Sequence, residues 1–429
     1  MALPRLLIFR AAVKTAKIEI YNCYNVCIEV NILTINKRQT EVKEPISLME
    51  PLMPPLGNKK LEDLASELIA TAYGLNQSVH PIVRRELGSL VRSMNCYYSN
   101  LIEGHRTLPT DIEKALNNNF DDDERTKNLQ LEALAHIKVQ EKIDLDLAPG
   151  TATSIERISW LHQEFVSQLP KSMLNIKNKE ETQVIELIPG QYRDGNVIVG
   201  QHVAISSIAI PSFLNRFEKV YDLAKLSTVN AAIALGASHH RLLWIHPFYD
   251  GNGRVSRLFS HGYLRQIGIG NSLWSVARGL SRNIDDYKKL LALADSPRWN
   301  DLDGRGHLTT KGLIEFCDFF LNICIDQVRF MSSIIEPDKI LNRMEIYVEE
   351  EVRCGNLLPN SFLLLKQLWL EGEIPKHQVP QVVGYKERQA RTLQNKLIQS
   401  GLIIADSIRS PLKLNFPIEI AERYFPSLF

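Results

Sequence analysis

The chain has 429 residues, 45% of them hydrophobic and 23% charged, with a formal net charge of +1. That length accommodates roughly two to four domains and a large core. The near-neutral balance excludes a nucleic-acid coat over the whole chain, leaving only a local basic face open.

Residues 1–48 begin with a short apolar patch flanked by Arg5 and Arg10, with neither the apolar length nor the small-residue cleavage site of a secretory signal. No apolar run approaches the roughly 18–20 residues that cross a bilayer, so the expected location is the cytoplasm, with no membrane partner. Six scattered cysteines (Cys23, Cys27, Cys96, Cys317, Cys324 and Cys354) lack ligand-like CxxC spacing and read as thiols in a reducing compartment. Between 18 and 35 apolar and polar residues alternate, which predicts one or two strands, and a Pro-rich break follows at 51–55. Met49 or Met53 stands as an alternative start.

From 60 to 330 the texture is helical. Apolar residues recur at three- and four-residue spacing over 84–98, 129–143, 155–169, 212–226, 229–245, 255–266 and 313–335. One interruption, 186–202, places two extended runs around Asp194-Gly195-Asn196, a hairpin signal. A lone hairpin in a helical domain suits a flap better than a sheet core. The organisation expected is an extension (1–48), a helical region (49–150), a core (151–335), a charged linker (336–360) and a C-terminal module (361–429).

The chemistry concentrates in His246-Pro-Phe-Tyr-Asp-Gly-Asn-Gly-Arg-Val-Ser-Arg257. Gly251 and Gly253 let backbone approach a ligand, and amides at a helix start converge on an anion. Arg254 and Arg257, three apart, share a helix face and can both reach phosphate oxygens. Asp250 is a hard oxygen donor of the kind Mg²⁺ accepts, and Asn252 can donate to a phosphate oxygen. His246 can accept a proton near neutral pH. Each residue alone fits an ordinary helix–turn–helix joint. Together they form a base, a metal ligand, an anion cradle and two cations, the parts of a phosphoryl- or nucleotidyl-transfer site.

This segment resembles the HPFx(D/E)GNGRxxR motif of the Fic (Fido) family at every defined position. The resemblance implies a mainly α fold: a Fic helical core with a β-hairpin flap, plus an appended winged helix-turn-helix domain. It implies protein AMPylation, in which the hydroxyl of a target Ser, Thr or Tyr attacks the α-phosphate of Mg-ATP and pyrophosphate leaves. His246 would be the base and Asp250 the Mg²⁺ ligand. Asn252 with the amides of Gly251 and Gly253 would bind the α- and β-phosphates, Arg254 would help hold the phosphates, and Arg257 would grip the γ-phosphate. Phe248 would anchor the loop in the core. The phosphate-transferring branch carries Lys where Gly253 stands, which favours AMP transfer. Another donor, such as UTP, GTP or CDP-choline, stays open.

Upstream, Ser99, Glu103 and Gly104 resemble the family's inhibitory (S/T)xxxE(G/N) motif. A carboxylate placed on Arg257 would take the γ-phosphate position and bend the triphosphate out of line. Some members use this glutamate to remove AMP, so the reverse reaction is a second implied activity. The hairpin lies where the family places its flap, which pairs with an extended stretch of the target. Gln191, Arg193, Val197, Ile198 and Val199 are the candidate contacts.

Residues 361–429 read as helix, turn, helix, Gly401 and two strands, the pattern of a winged helix. Lys376, Lys386, Arg388, Arg391, Lys396, Arg409 and Lys413 are opposed only by Glu387 and Asp406. This balance fits DNA phosphates, and it fits equally a packing or homodimer surface with solvated cations. A DNA-binding regulator using the core as a nucleotide sensor is the alternative to the enzyme.

Overall fold

The computed structural model describes residues 30–32, 43–177 and 184–429. Of the strands expected across 18–35, Val30–Ile32 (β1) is present, and the rest lies outside the described residues. The remainder is mainly helical with small antiparallel hairpins, as expected.

In chain order come α1 (Lys59–Gln77), α2 (Pro81–Ile102), α3 (Pro109–Leu116), α4 (Glu124–Asp144) and α5 (Ile155–Val166). Two short pairs follow, β2 (Asn175–Lys177) with β3 (Val184–Glu186), and β4 (Val197–Val199) with β5 (His202–Val203). Next are α6 (Ile210–Val220), α7 (Thr228–Ile245), α8 (Asn252–Gln266), α9 (Val276–Arg282), α10 (Ile284–Ala294) and α11 (Thr310–Ile334). Local chemistry sets several starts: the side chains of Asn58, Asp123, Ser154, Ser227 and Thr309 each accept a first-turn amide.

Helix α7 is the central post, packed by α1, α6, α8 and α11. Its run of Ala231, Ala232, Ala234, Gly236 and Ala237 is small enough for close approach: a Cβ on Gly236 would lie 3.2 Å from the Cys317 backbone of α11. Phe213, Phe217, Phe259, Phe316 and Phe320 fill the surroundings, all 1% exposed or less. Truncating any of them to Ala would cost about 3–5 kcal/mol. The Pro-rich break lies across this core. Pro51 C=O accepts from Arg241 Nε (3.1 Å) and Nη2 (2.7 Å), and Leu52 C=O accepts from Tyr221 Oη (2.5 Å).

The segment expected as a linker is instead largely a helix, α12 (Pro337–Arg353), whose Ile340, Met344 and Val348 are buried at four-residue spacing beneath its charged face. It packs on α13 (Ser361–Glu371) and α16 (Ile418–Tyr424). Between these lie β6 (Glu373–Ile374), α14 (Val379–Val383), α15 (Glu387–Gln399), β7 (Ile403–Ile404) and β8 (Leu412–Leu414), the strands in antiparallel order β6-β8-β7. Three of the seven C-terminal cations are committed within this module. Lys413 pairs with Asp406 (2.6 Å), Lys376 donates to the Ser407 and Ile408 carbonyls, and Lys396 donates to Gly355 C=O. Lys386, Arg388, Arg391 and Arg409 are exposed. Strand β8 packs against α2, and α16 against α3.

Candidate functional site

Helix α7 stops at His246, which adopts the left-handed conformation (φ 50°). Pro247 cannot extend the helix, so the chain turns and α8 starts six residues later. Phe248 is fully buried and stacks on His162 of α5, with ring centroids 3.8 Å apart. His162 also accepts from Gly190 N–H (2.9 Å), so one imidazole joins the buried Phe248 ring to the loop before the flap. Burial lowers its pKa to about 4, keeping it neutral.

Gly251 (φ 79°) precedes the first turn of α8, and its amide donates to Asp250 Oδ1 (2.6 Å). Asn252 departs from expectation. Its carboxamide is engaged in a reciprocal pair, accepting from Phe248 N–H (3.0 Å) and donating to Phe248 C=O (2.8 Å). The side chain therefore closes the loop rather than facing a phosphate, and the backbone amide at the helix start is what it offers an anion.

Arg257 is 2% exposed at its side chain, and the end of α2 engages two of its three nitrogens. Its Nε donates to Ser99 Oγ (2.9 Å), and its Nη2 donates to Glu103 Oε1 (2.5 Å) and to Ser99 C=O (3.3 Å). The Glu103 carboxylate also lies directly over Gly253, where any Cβ would collide with it. An anion thus already occupies the start of α8. Burial would raise the Glu103 pKa, but the Arg257 and Arg254 guanidiniums outweigh it and hold the carboxyl well below its ordinary range. Gly104 (φ 80°) closes α2, its amide bonding Leu101 C=O and that of His105 bonding Asn100 C=O.

Arg254 has a partner that sequence reading missed. It pairs with Glu132 of α4, which is 1% exposed, and Glu132 Oε2 lies 2.7 Å from His105 Nδ1. The signal was a carboxylate at a core-facing position, three residues after Leu129 in an apolar stripe.

His246 is half-buried. Burial first, then the Arg193 guanidinium and His202, lower its pKa from the ordinary histidine range. The Leu243 backbone acts in the opposite direction, without outweighing burial. Asp250 is half-buried at the mouth, and burial raises its pKa against the pull of Arg254. Among the described residues no group of three or more His, Cys, Asp or Glu side chains could hold a metal. One carboxylate suits a Mg²⁺ that takes its other ligands from phosphate oxygens and water, not a resident ion.

The flap differs from expectation in three respects. Its turn is Gly200-Gln201, between β4 and β5, and not Asp194-Gly195. Gly195 is small for another reason: Tyr249 Oη stands 2.7 Å from where its Cβ would be, and that hydroxyl donates to Asp194 (2.5 Å). Arg193 is no target contact. It is 2% exposed and donates to the carbonyls of His246 (2.8 Å), Gly195 (2.8 Å), Ile205 (2.6 Å) and Ile245 (3.4 Å), tying the flap base to the turn after α7. The Val197 side chain is fully buried, Ile198 and Val199 are half-buried, and Gln191 is exposed. Both edges of β4 are occupied, one by β5 and the other by β1 in the register Val30↔Val199. An extended target has no free β4 edge in this conformation.

Comparison with known proteins agrees with this geometry. Residues 173–264 match the Fic/DOC family model. The chain is 31% identical over 98 residues to the protein adenylyltransferase Fic of Drosophila erecta and 32% identical over 98 residues to that of Drosophila yakuba, in each case 23% of this chain. These matches span only about a fifth of the length of those curated relatives. Among solved structures, Fic-1 from C. elegans superposes with a TM-score of 0.50 at 14% identity, over 65% of this chain and 73% of that one, a likeness of fold. The segment that matches the Fic/DOC family model, 173–264, carries the His246–Arg257 turn.

Proposed function

We propose that this chain is an autoinhibited protein adenylyltransferase, transferring AMP from Mg-ATP to a Ser, Thr or Tyr hydroxyl of a target protein with release of pyrophosphate. One observation carries the reading: a carboxylate from outside the matched domain, Glu103, sits on Arg257 and over Gly253, the place a terminal phosphate would take. The name of the Drosophila relatives supports the same chemistry.

The geometry supports the following roles. The His246 imidazole, kept neutral by burial, takes the proton of the attacking hydroxyl. The amides at the start of α8 and the two guanidiniums stabilise the charge on the phosphates. Asp250, together with the nucleotide, would hold Mg²⁺, which would supply neutralisation of phosphate charge. With Glu103 in place, the triphosphate cannot lie in line, and misplacement alone lowers the rate by orders of magnitude.

Incubation with radiolabelled ATP tests this. Glu103→Gly is expected to raise self-labelling well above the parent chain, and adding His246→Ala is expected to abolish it. Labelling that survives His246→Ala would remove His246 as the base.

A further inference from the structure

Arg254 is a cation in an almost dry place. It is 4% exposed, with its guanidinium 5.5 Å from the Phe165 ring centroid. A guanidinium so placed needs a permanent counter-ion, or it reorients toward the nearest carboxylate. Three carboxylates act on it: Glu132, Glu103 and Asp250. Two of these have other work in the proposed reaction, Glu103 as the removable brake and Asp250 as the metal ligand.

Glu132 is placed differently. It projects from mid-α4, a helix that packs on α2, α5 and α8 itself. Glu103 follows the last residue of α2, where one turn of fraying frees it. Glu132 is charged: burial raises its pKa, but Arg254 and His105 together bring it below the ordinary value. An ionised carboxylate accepts from both neighbours, so His105 Nδ1 carries the proton toward Oε2 while Arg254 Nη2 donates to Oε1. The 3.0 Å approach of Arg254 Nη2 to His105 Nδ1 is then a contact between two donors on one acceptor. Arg254 Nε is buried with no hydrogen-bond partner, so the fixed guanidinium keeps an N–H in reserve.

We propose that Glu132 is the positioning residue for Arg254: it pairs with the guanidinium before and after the nucleotide binds, keeps Arg254 off Asp250, and presents the remaining N–H groups to the β- and γ-phosphates. Glu132 touches no reacting atom. This rests on the nucleotide site proposed above, and it makes the two motif arginines unequal: the carboxylate on Arg257 leaves, and the one on Arg254 stays.

The test uses the full chain carrying Glu103→Gly and His246→Ala, so that no turnover disturbs binding, with Mg-ATP and AMP affinities measured by calorimetry. Adding Glu132→Gln is expected to weaken Mg-ATP binding at least about tenfold, the worth of one charge-assisted contact, with AMP affinity kept within about twofold. Glu132→Asp, which retains the charge, is expected to recover part of the loss. Unchanged or tighter Mg-ATP binding by Glu132→Gln would overturn the proposal and make Glu132 a competitor for Arg254. An equal loss for AMP and ATP would also overturn it, as a general collapse of the site. Failure of Glu103→Gly itself to bind Mg-ATP would refute the nucleotide site instead. If neither Glu132 variant folds, arginine-selective ¹⁵N NMR of the Glu103→Gly chain decides. Persistence of the protected Arg254 Nη2 hydrogens with Mg-ATP bound supports the pair, and their release overturns it.

Discussion

If Glu103 occupies the place of the terminal phosphate, the parent chain should be unable to tell ATP from ADP by that phosphate. The perturbation is Glu103→Gly, made on a His246→Ala chain so that no turnover disturbs binding. In the parent, Arg257 already commits Nε to Ser99 and Nη2 to Glu103, so the edge proposed to meet a γ-phosphate is taken. Once Glu103 is gone, a guanidinium that is 2% exposed at its side chain is left with a single neutral partner residue. A hydrogen bond to a charged group is worth about 1.5–3 kcal/mol. The γ-phosphate should therefore gain roughly 10- to 150-fold in affinity. The ATP-to-ADP affinity ratio, measured by calorimetry with Mg²⁺, is expected near one in the parent and roughly ten or more in the variant. Without nucleotide the variant should also melt several degrees lower, since removing one partner of a buried pair costs about 3–5 kcal/mol and Glu103 lies toward the rim. An identical ratio in both proteins would refute the competition, whatever the labelling assay reports.

Two further outcomes follow from the site. The pKa of His246 is depressed, so its base form persists on acidification, and the acid limb of kcat/KM in the Glu103→Gly chain should lie below the ordinary histidine value of about 6.5; a limb at or above that value would contradict the placement of His246 beside Arg193. Arg193→Met should lower stability by about 4 kcal/mol or more, because it strands four carbonyls around the turn after α7, whereas Gln191→Ala should leave stability unchanged; equal melting of the two variants would return Arg193 to the surface role expected from its sequence position.

The site was legible where the chemistry is local and the fold where the period is simple. His246, the two glycines and the two arginines occupy one turn and one helix start, so spacing alone shows that they converge. The link from Ser99 and Glu103 to Arg257 spans more than 150 residues, and only a motif could suggest it; the structure brings these side chains together. The flap was misplaced because an Asp-Gly step marks a hairpin turn and a close backbone approach alike. Nothing local distinguishes a glycine that turns from one that admits the Tyr249 hydroxyl. Arg193 sits between polar residues in an irregular stretch, where its burial beneath four carbonyls leaves no periodic trace. Helix α12 was readable: Ile340, Met344 and Val348 recur every four residues, but the surrounding charge hid them.

The two arginines explain why such a turn carries carboxylates at all. Two guanidiniums one helical turn apart, both nearly dry, repel each other and cannot be left unpaired while the site is empty. A fold that used rigid carboxylates for both would be stable and unable to take a triphosphate. One that left both bare would not hold its shape. The arrangement here divides the task by mechanics: the Arg254 partner stands in mid-helix behind the site, and the Arg257 partner hangs on the last turn of α2, secured by Gly104 and two capping amides. Whatever loosens that turn removes one negative charge from the cradle and leaves the other counter-ion standing. On the proposed reading that vacancy would admit one phosphate, so the release of the brake and the shaping of the nucleotide site would be the same event.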